Sequence, residues 1–248
     1  MKIVSIPYSE GSMGKNKGCE KAPELIISEL RKLRKEFNSE IIKTDKSNFV
    51  DNMKNLGPAD IYIGGDHSIT YYTFSKFAKN FKNPCLLVFD AHPDYYPSDD
   101  IGFIGHEDWL YFLVNKGIIK SENIILVGIR AIDPKEKSFL EKNKMKKYDT
   151  SNLYNNYEEA CNAMMEECRK FDGLYISIDI DAIDPAFAPG TGYLEAGGIS
   201  SVDLFYLLSR LKLLKNLKCI DLVEINPDLD VNNMTIKLGA KIISEFLK

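Results

Sequence analysis

Six short apolar runs, residues 2–7, 60–63, 85–89, 123–129, 174–178 and 218–223, recur along this chain and constrain its fold more than any other feature. Each has the length and composition of a strand. Between them, residues 22–37, 71–81, 108–115, 157–169, 202–214 and 235–247 carry apolar residues at helical spacing; in the first, Leu25, Ile26, Leu30 and Leu33 share one face. The runs 85–89 and 123–129 are apolar almost throughout rather than alternating, the pattern of strands that helices cover on both sides of a parallel sheet. The rhythm predicts an α/β fold, a three-layer αβα arrangement with a central parallel sheet. No repeat, low-complexity tract or linker divides the 248 residues, so 1–248 reads as a single domain.

Composition excludes several function classes. Thirty-two Lys and Arg against 36 Asp and Glu leave a net charge of −4 without a basic block, which argues against nucleic acid as a partner. No apolar run approaches the roughly 18–20 residues of a membrane helix, and the opening segment reads as a strand rather than a leader, so no membrane partner and a cytoplasmic address are expected. Cys19, Cys85, Cys161, Cys168 and Cys219 are scattered and odd in number, signalling neither a disulfide framework nor a structural zinc site. With Met164 and Met165 they read as core filler. The cluster Lys142-Asn143-Lys144-Met145-Lys146-Lys147 reads as a solvated face.

Three histidines are present, and their neighbours are informative. His67 lies in Gly64-Gly65-Asp66-His67-Ser68 after the second run, where two glycines allow a tight turn. His92 lies in Asp90-Ala91-His92-Pro93-Asp94 after the third, with three candidate ligands at i, i+2 and i+4 that share one side of an extended chain. Pro93 favours that extended form for the residue before it. Ser177-Ile178-Asp179-Ile180-Asp181 closes the fifth run with two more carboxylates two residues apart. A single Asp-x-Asp is an ordinary loop feature, but parallel α/β sheets gather their ligand sites at the carboxyl ends of their strands. The three clusters should therefore converge. Two imidazoles and four carboxylates, from His67, Asp90, His92, Asp94, Asp179 and Asp181, suit a pair of divalent cations roughly 3.5–4 Å apart, which would balance four mutually repelling aspartates. Such a ligand set suits manganese, with zinc or iron also compatible.

These segments, with Asp184-Pro185, Ala188-Pro189-Gly190-Thr191-Gly192 and Asp221-Leu222-Val223-Glu224-Ile225-Asn226-Pro227, resemble in order the signatures of the ureohydrolases, the family of arginase and agmatinase. The resemblance implies a hydrolase with two Mn2+ per chain, usually assembled as a homo-oligomer, a trimer or hexamer. In the family pattern His67, Asp90, Asp94 and Asp179 surround one ion and His92, Asp90, Asp179 and Asp181 the other, Asp90 and Asp179 bridging. Two cations lower the pKa of a bound water from about 15.7 towards about 7 and supply a hydroxide to attack a guanidinium carbon, releasing urea and an amine. The resemblance gives Asp94 the transfer of the proton to the leaving nitrogen, Glu224 the guanidinium and His106 the shuttling of protons. His106 is followed by Glu107 where the family usually has Gly, and Tyr193-Leu194 stands where Thr-Pro is usual.

The small guanidino substrate is read as agmatine, cleaved to urea and putrescine in polyamine biosynthesis, because Asp94-Tyr95-Tyr96 resembles the agmatinase form of the second signature. Arg130-Ala131-Ile132-Asp133-Pro134-Lys135-Glu136 resembles an arginase segment, and Asp133 is assigned to the distal amine. Arginine, guanidinobutyrate, a formimino compound and free guanidine are the alternatives in class. Outside the class, a one-zinc amide hydrolase and a metal-binding subunit without catalysis compete with this reading.

Overall fold

A computed structural model describes residues 1–33, 36–44, 47–98, 103–143 and 145–247; Lys144 of the basic cluster and residues 34–35 of the expected first helix lie outside them. The strands are β1 (Lys2–Ile6), β2 (Asn38–Ile41), β3 (Ile61–Gly64), β4 (Pro84–Phe89), β5 (Ile124–Ile129), β6 (Lys146–Asp149), β7 (Gly173–Asp179) and β8 (Leu217–Val223). The helices are α1 (Ala22–Lys32), α2 (Phe49–Lys54), α3 (Ile69–Ala78), α4 (Trp109–Asn115), α5 (Pro134–Asn143), α6 (Thr150–Asn155), α7 (Tyr157–Cys168), α8 (Ser201–Leu211) and α9 (Met234–Ser244). All six expected strands form within a residue or two. The unexpected ones, β2 and β6, are the two edges of the sheet, whose order is β2-β1-β3-β8-β7-β4-β5-β6 with every pairing parallel.

Side-chain alternation divides the core into two layers. On β4, Cys85, Leu87 and Phe89 join a cluster containing Ile26 and Leu30 of α1, Met164 of α7, Leu204 of α8 and Ile243 of α9. Leu86 and Val88 join a second cluster with Phe49 of α2, Phe74 of α3, Trp109 of α4 and Leu140 of α5. This is the expected three-layer arrangement, each strand residue facing one helical layer or the other. The five cysteines are buried and unpaired, and Met164 and Met165 are buried with them. No helix among the described residues is long and apolar enough to cross a membrane.

Helix α1 departs from expectation. It buries Ala22, Pro23, Ile26, Ile27 and Leu30, whereas Leu25 and Leu33 stand 41% and 49% exposed. The buried stripe is rotated towards Ile27, where α1 packs on β1, β3 and α9, and Leu33 lies beyond the last turn. Helices α2 and α6 have six residues each, too few to display a period. In α5 the described residues bury only Glu136 and Leu140, a stripe too thin to register.

The register aligns the carboxyl ends of four central strands. Ile63 faces Leu222 across β3 and β8, Asp179 faces Val223 across β7 and β8, and Phe89 faces Ile178 across β4 and β7. Consequently the segments leaving β3, β8, β7 and β4 emerge side by side, although β3 and β8 lie far apart in sequence. The turn after β3 passes so close to the segment after β1 that a Cβ on Gly65 would lie 1.9 Å from the carbonyl oxygen of Tyr8. That neighbour is backbone and has little freedom to withdraw. Gly65→Ala is expected to lower the unfolding free energy by about 1–3 kcal/mol through overpacking; a urea-unfolding midpoint equal to that of the wild type would contradict this crossing.

Candidate active site

The expected i, i+2, i+4 convergence after β4 is reached by a different backbone route. The chain is not a regular extended strand there: the Asp90 carboxylate accepts the N–H of His92 at 2.7 Å, and Asp94 has a φ of 49°. After β7, Asp179 likewise accepts the N–H of Asp181 at 2.8 Å, opening a short 3-10 turn. An aspartate that bonds the backbone two residues on forms a tight Asx turn. In both segments this turn, rather than strand alternation, brings the paired side chains round.

Four of the six expected ligands meet at one atom. His67 Nδ1 lies 3.1 Å from Asp90 Oδ2, 3.0 Å from Asp94 Oδ2 and 3.2 Å from Asp179 Oδ2. Its other nitrogen lies 2.9 Å from Ser177 Oγ, whose hydroxyl donates to Asp221 at 2.6 Å. His92 Nδ1 lies 3.0 Å from Asp181 Oδ2 and 3.6 Å from Asp90 Oδ1. Ligand atoms thus gather in two groups, His67 with Asp90 and Asp179, and Asp90 with His92 and Asp181, which share Asp90.

An imidazole nitrogen carries at most one hydrogen, so it cannot bond three carboxylates at once. His67 Nδ1 and Asp90 Oδ2 are in fact buried without a well-formed hydrogen bond. Burial, with repulsion from Asp94 and Asp181, pushes the Asp90 carboxyl up to about 6; burial, Asp181 and Asp90 hold Asp179 well above the carboxylate range. Burial disfavours a proton on His67, but Asp179, Asp90 and Asp94 outweigh it and raise its pKa. Asp181 is held down to about 2 against its burial by the hydrogen bond from His92. Orphaned ligand atoms in the first group and a second group beside it that shares Asp90, in a cluster that otherwise traps protons, fit divalent cations.

Glu224 stands just beyond β8 rather than on the strand, with a φ of 65°. Its N–H donates to Gly65 O at 2.7 Å. Oε1 accepts the His67 N–H at 2.6 Å and Oε2 accepts Asn16 Nδ2 at 2.5 Å. Asn16 is itself oriented by Asn226, whose Nδ2 donates to Asn16 Oδ1 at 2.7 Å. His106 Nδ1 lies 3.5 Å from Glu224 Oε1. His106 is 6% exposed, not a surface histidine; burial opposes its protonation, but Glu224 prevails and lifts it to about 9.

Glu224, His106, His92, Asp94, Asp179 and Asp181 line one cavity of about 470 Å3. Its outer wall holds Lys15, Tyr96, Glu107, Asp133, Glu136 and Tyr193. The exposed Asp133 accepts the Lys135 N–H, while buried Glu136 accepts the N–H groups of Tyr95 and Asp133 at 3.0 and 3.1 Å and is raised to about 7, chiefly by burial. Asn16, Lys15 and Trp109 had no signature to reveal them: Asn16 meets Glu224 across 208 positions. Arg130 binds the carbonyls of Asp181 and Glu195, anchoring the loop that carries Tyr193.

Comparison with known proteins concerns the chain as a whole. A family model described as "Arginase family" matches residues 42–248. Arginase of Staphylococcus aureus (strain COL) is 31% identical over 200 residues, covering 75% of this chain and 66% of that protein, so the chain spans just under two thirds of that relative's length. Among solved structures, arginase from Bacillus subtilis superposes with a TM-score of 0.86 at 24% identity, covering 99% of this chain and 97% of that one. Formimidoylglutamase from Bacillus subtilis subsp. subtilis str. 168 gives a TM-score of 0.89 at 21% identity, covering 99% and 85%. At those identities the likeness concerns the fold.

A cation bound only by the folded chain adds about 2.7 kcal/mol at a hundred times its Kd. Thermal melts with and without manganese are expected to separate for the wild type and to coincide for Asp90→Asn. Equal separation in both proteins would mean that the cation binds elsewhere.

Proposed function

Because the chain belongs to the arginase family, we propose that it hydrolyses a small guanidino compound, agmatine in first place, to urea and an amine. The observation that carries this reading is Glu224. Asn16 and the His67 N–H take one acceptor site on each oxygen of its carboxylate and His106 Nδ1 stands at 3.5 Å from Oε1; a paired, charge-assisted bond from a planar guanidinium would use the second site of each oxygen, displacing His106 from Oε1. The same cavity opens on the His/Asp cluster.

His67, Asp90, Asp94 and Asp179 would hold one divalent ion and His92, Asp90, Asp179 and Asp181 the other, manganese by our reading. When bound, such a pair lowers the pKa of water in the site to about 7 and so supplies the nucleophile. The remaining work falls to side chains. Glu224 orients the guanidinium carbon, Asp94 receives the proton released by the attacking water and delivers it to the leaving nitrogen, and His106 exchanges protons between cavity and solvent. Guanidinium and water are thereby converted to urea and a protonated amine.

Agmatine is favoured by the outer wall. Asp133 and Glu136 are carboxyl groups facing the cavity, whereas Lys135 is drawn to Tyr96 OH at 2.6 Å and Lys15 to Glu107 at 3.1 Å. A distal ammonium finds partners there. Arginine is the second reading, favoured by one observation: Lys15 lines the cavity and is the cation an α-carboxylate would use. Two manganese ions per chain, a homo-oligomeric state and a cytoplasmic address belong to the same proposal.

Urea release by manganese-loaded protein across agmatine, arginine, guanidinobutyrate and guanidine tests it. Agmatine is expected to turn over fastest, and Glu224→Gln to cut kcat/KM by roughly 10- to 100-fold. Asp133→Asn should raise KM for agmatine by about two- to fivefold, as for a solvent-screened ion pair, and leave guanidinobutyrate unaffected. Faster turnover of arginine would replace the substrate; no urea from any compound would end the guanidino reading and leave a formimino substrate or a subunit without catalysis.

A further inference from the structure

Trp109 is the chain's single tryptophan, and it is fully buried. Its indole Nε1 donates to Asp94 Oδ2 at 2.7 Å, and its ring centroid lies 4.5 Å from that of His67. The same Oδ2 faces His67 Nδ1 at 3.0 Å. Around this bond the two segments are laced together: Leu110 N–H reaches Asp94 O at 3.3 Å, and Tyr96 N–H reaches Glu107 O at 3.0 Å.

We propose that Trp109 is a positioning residue which fixes the Asp94 carboxylate for cation binding and proton transfer. The proposal rests on the metal-dependent reading above. Its physical basis is that Asp94, at a φ of 49°, occupies a backbone region that does not hold a side chain by itself, and its carboxylate lies among like charges that repel it. The indole bond occupies one acceptor site of Oδ2 and ties it to the first residue of α4, so that the carboxylate stays beside His67 whether or not a cation is present. An oxygen so held loses little freedom when it becomes a ligand. Partners of this kind, bonded to ligands but not to the metal, are commonly worth 10- to 100-fold in affinity or activity.

The test is a double-mutant cycle in metal affinity, measured by calorimetry with manganese on Trp109→Phe, Asp94→Asn and the double variant. Trp109→Phe is expected to weaken manganese binding by about 10- to 100-fold, and in the Asp94→Asn background that loss should largely vanish. In urea release, kcat should fall while KM for the guanidino substrate stays within about twofold, because the Glu224 contact is untouched. An equal loss of affinity in both backgrounds would mean that Trp109 acts by packing alone and would overturn the proposal, as would unchanged affinity. Should Trp109→Phe not fold, the wild type serves instead. With one tryptophan it has one indole N–H resonance, which must be protected from exchange and must shift in Asp94→Asn; a resonance unmoved by that substitution refutes the bond. If the wild type binds no manganese, the metal-dependent reading fails, whereas manganese binding by the wild type with no coupling between the residues makes Trp109 alone the error.

Discussion

Buried negative charge at one end of the sheet is the constraint on which the rest of the structure depends. Asp66, Asp90, Asp94, Asp179, Asp181, Asp221 and Glu224 are all buried there, and unpaired carboxylates are too costly to bury as ions. Three devices answer it. Backbone N–H groups and hydroxyls satisfy those outside the cluster: Asp66 accepts from Ser12 N, Ser68 N and Ser68 Oγ, and Asp221 from Thr70, Tyr175 and Ser177. His92 compensates Asp181. Around His67, Asp90 and Asp179 each accept one backbone N–H and Asp94 the indole N–H, and the three Oδ2 atoms left crowding His67 Nδ1 form a set that suits a cation.

Satisfying those groups costs backbone strain at two of the residues that carry the chemistry. Asp94 and Glu224 both have left-handed φ without being glycine, a conformation that costs on the order of 1–3 kcal/mol each. The surroundings enforce both. Glu224 is clamped by its own N–H on Gly65 O and by Asn16 Nδ2 on its carbonyl at 3.1 Å. Asp94 is clamped through its carbonyl by Leu110 and through its side chain by Trp109. Each clamp joins segments that are separate in the chain, so the geometry belongs to the folded protein and not to either segment.

What could be read from the sequence follows the same division between local and long-range causes. Central strands such as β4 and β5 are covered on both faces, so burial is written into nearly every residue and the runs are visible. At the edges burial is relieved: all residues of β2 are exposed, and Lys146 and Lys147 of β6 point to solvent, so no apolar pattern betrays them. The His and Asp pairs were legible because their two-residue spacing is local, although an Asx turn rather than the expected extended chain brings them together. Asn16 and Trp109 were not, since what gives each its role is a partner in another loop, and nothing in their own neighbourhoods records it.

The strand order explains why these two kinds of legibility coincide. The chain lays down β1 to β6 first, leaving β3 and β4 as the inner borders of two half-sheets, and β7 and β8 then fill the gap between them. Of the four strands thus brought to the middle, β3, β4 and β7 are buried along their whole length and β8 along its last five residues, so their apolar runs are easy to read. They are also the ones whose carboxyl ends face one another with no helix or edge to separate them, in the crevice where parallel sheets hold their ligands. Concentrating apolar residues in the strands and carboxylates immediately after them is therefore a single design. The hydrophobic centre holds the ends in register, and the register brings the charges so close that they must share protons or a cation.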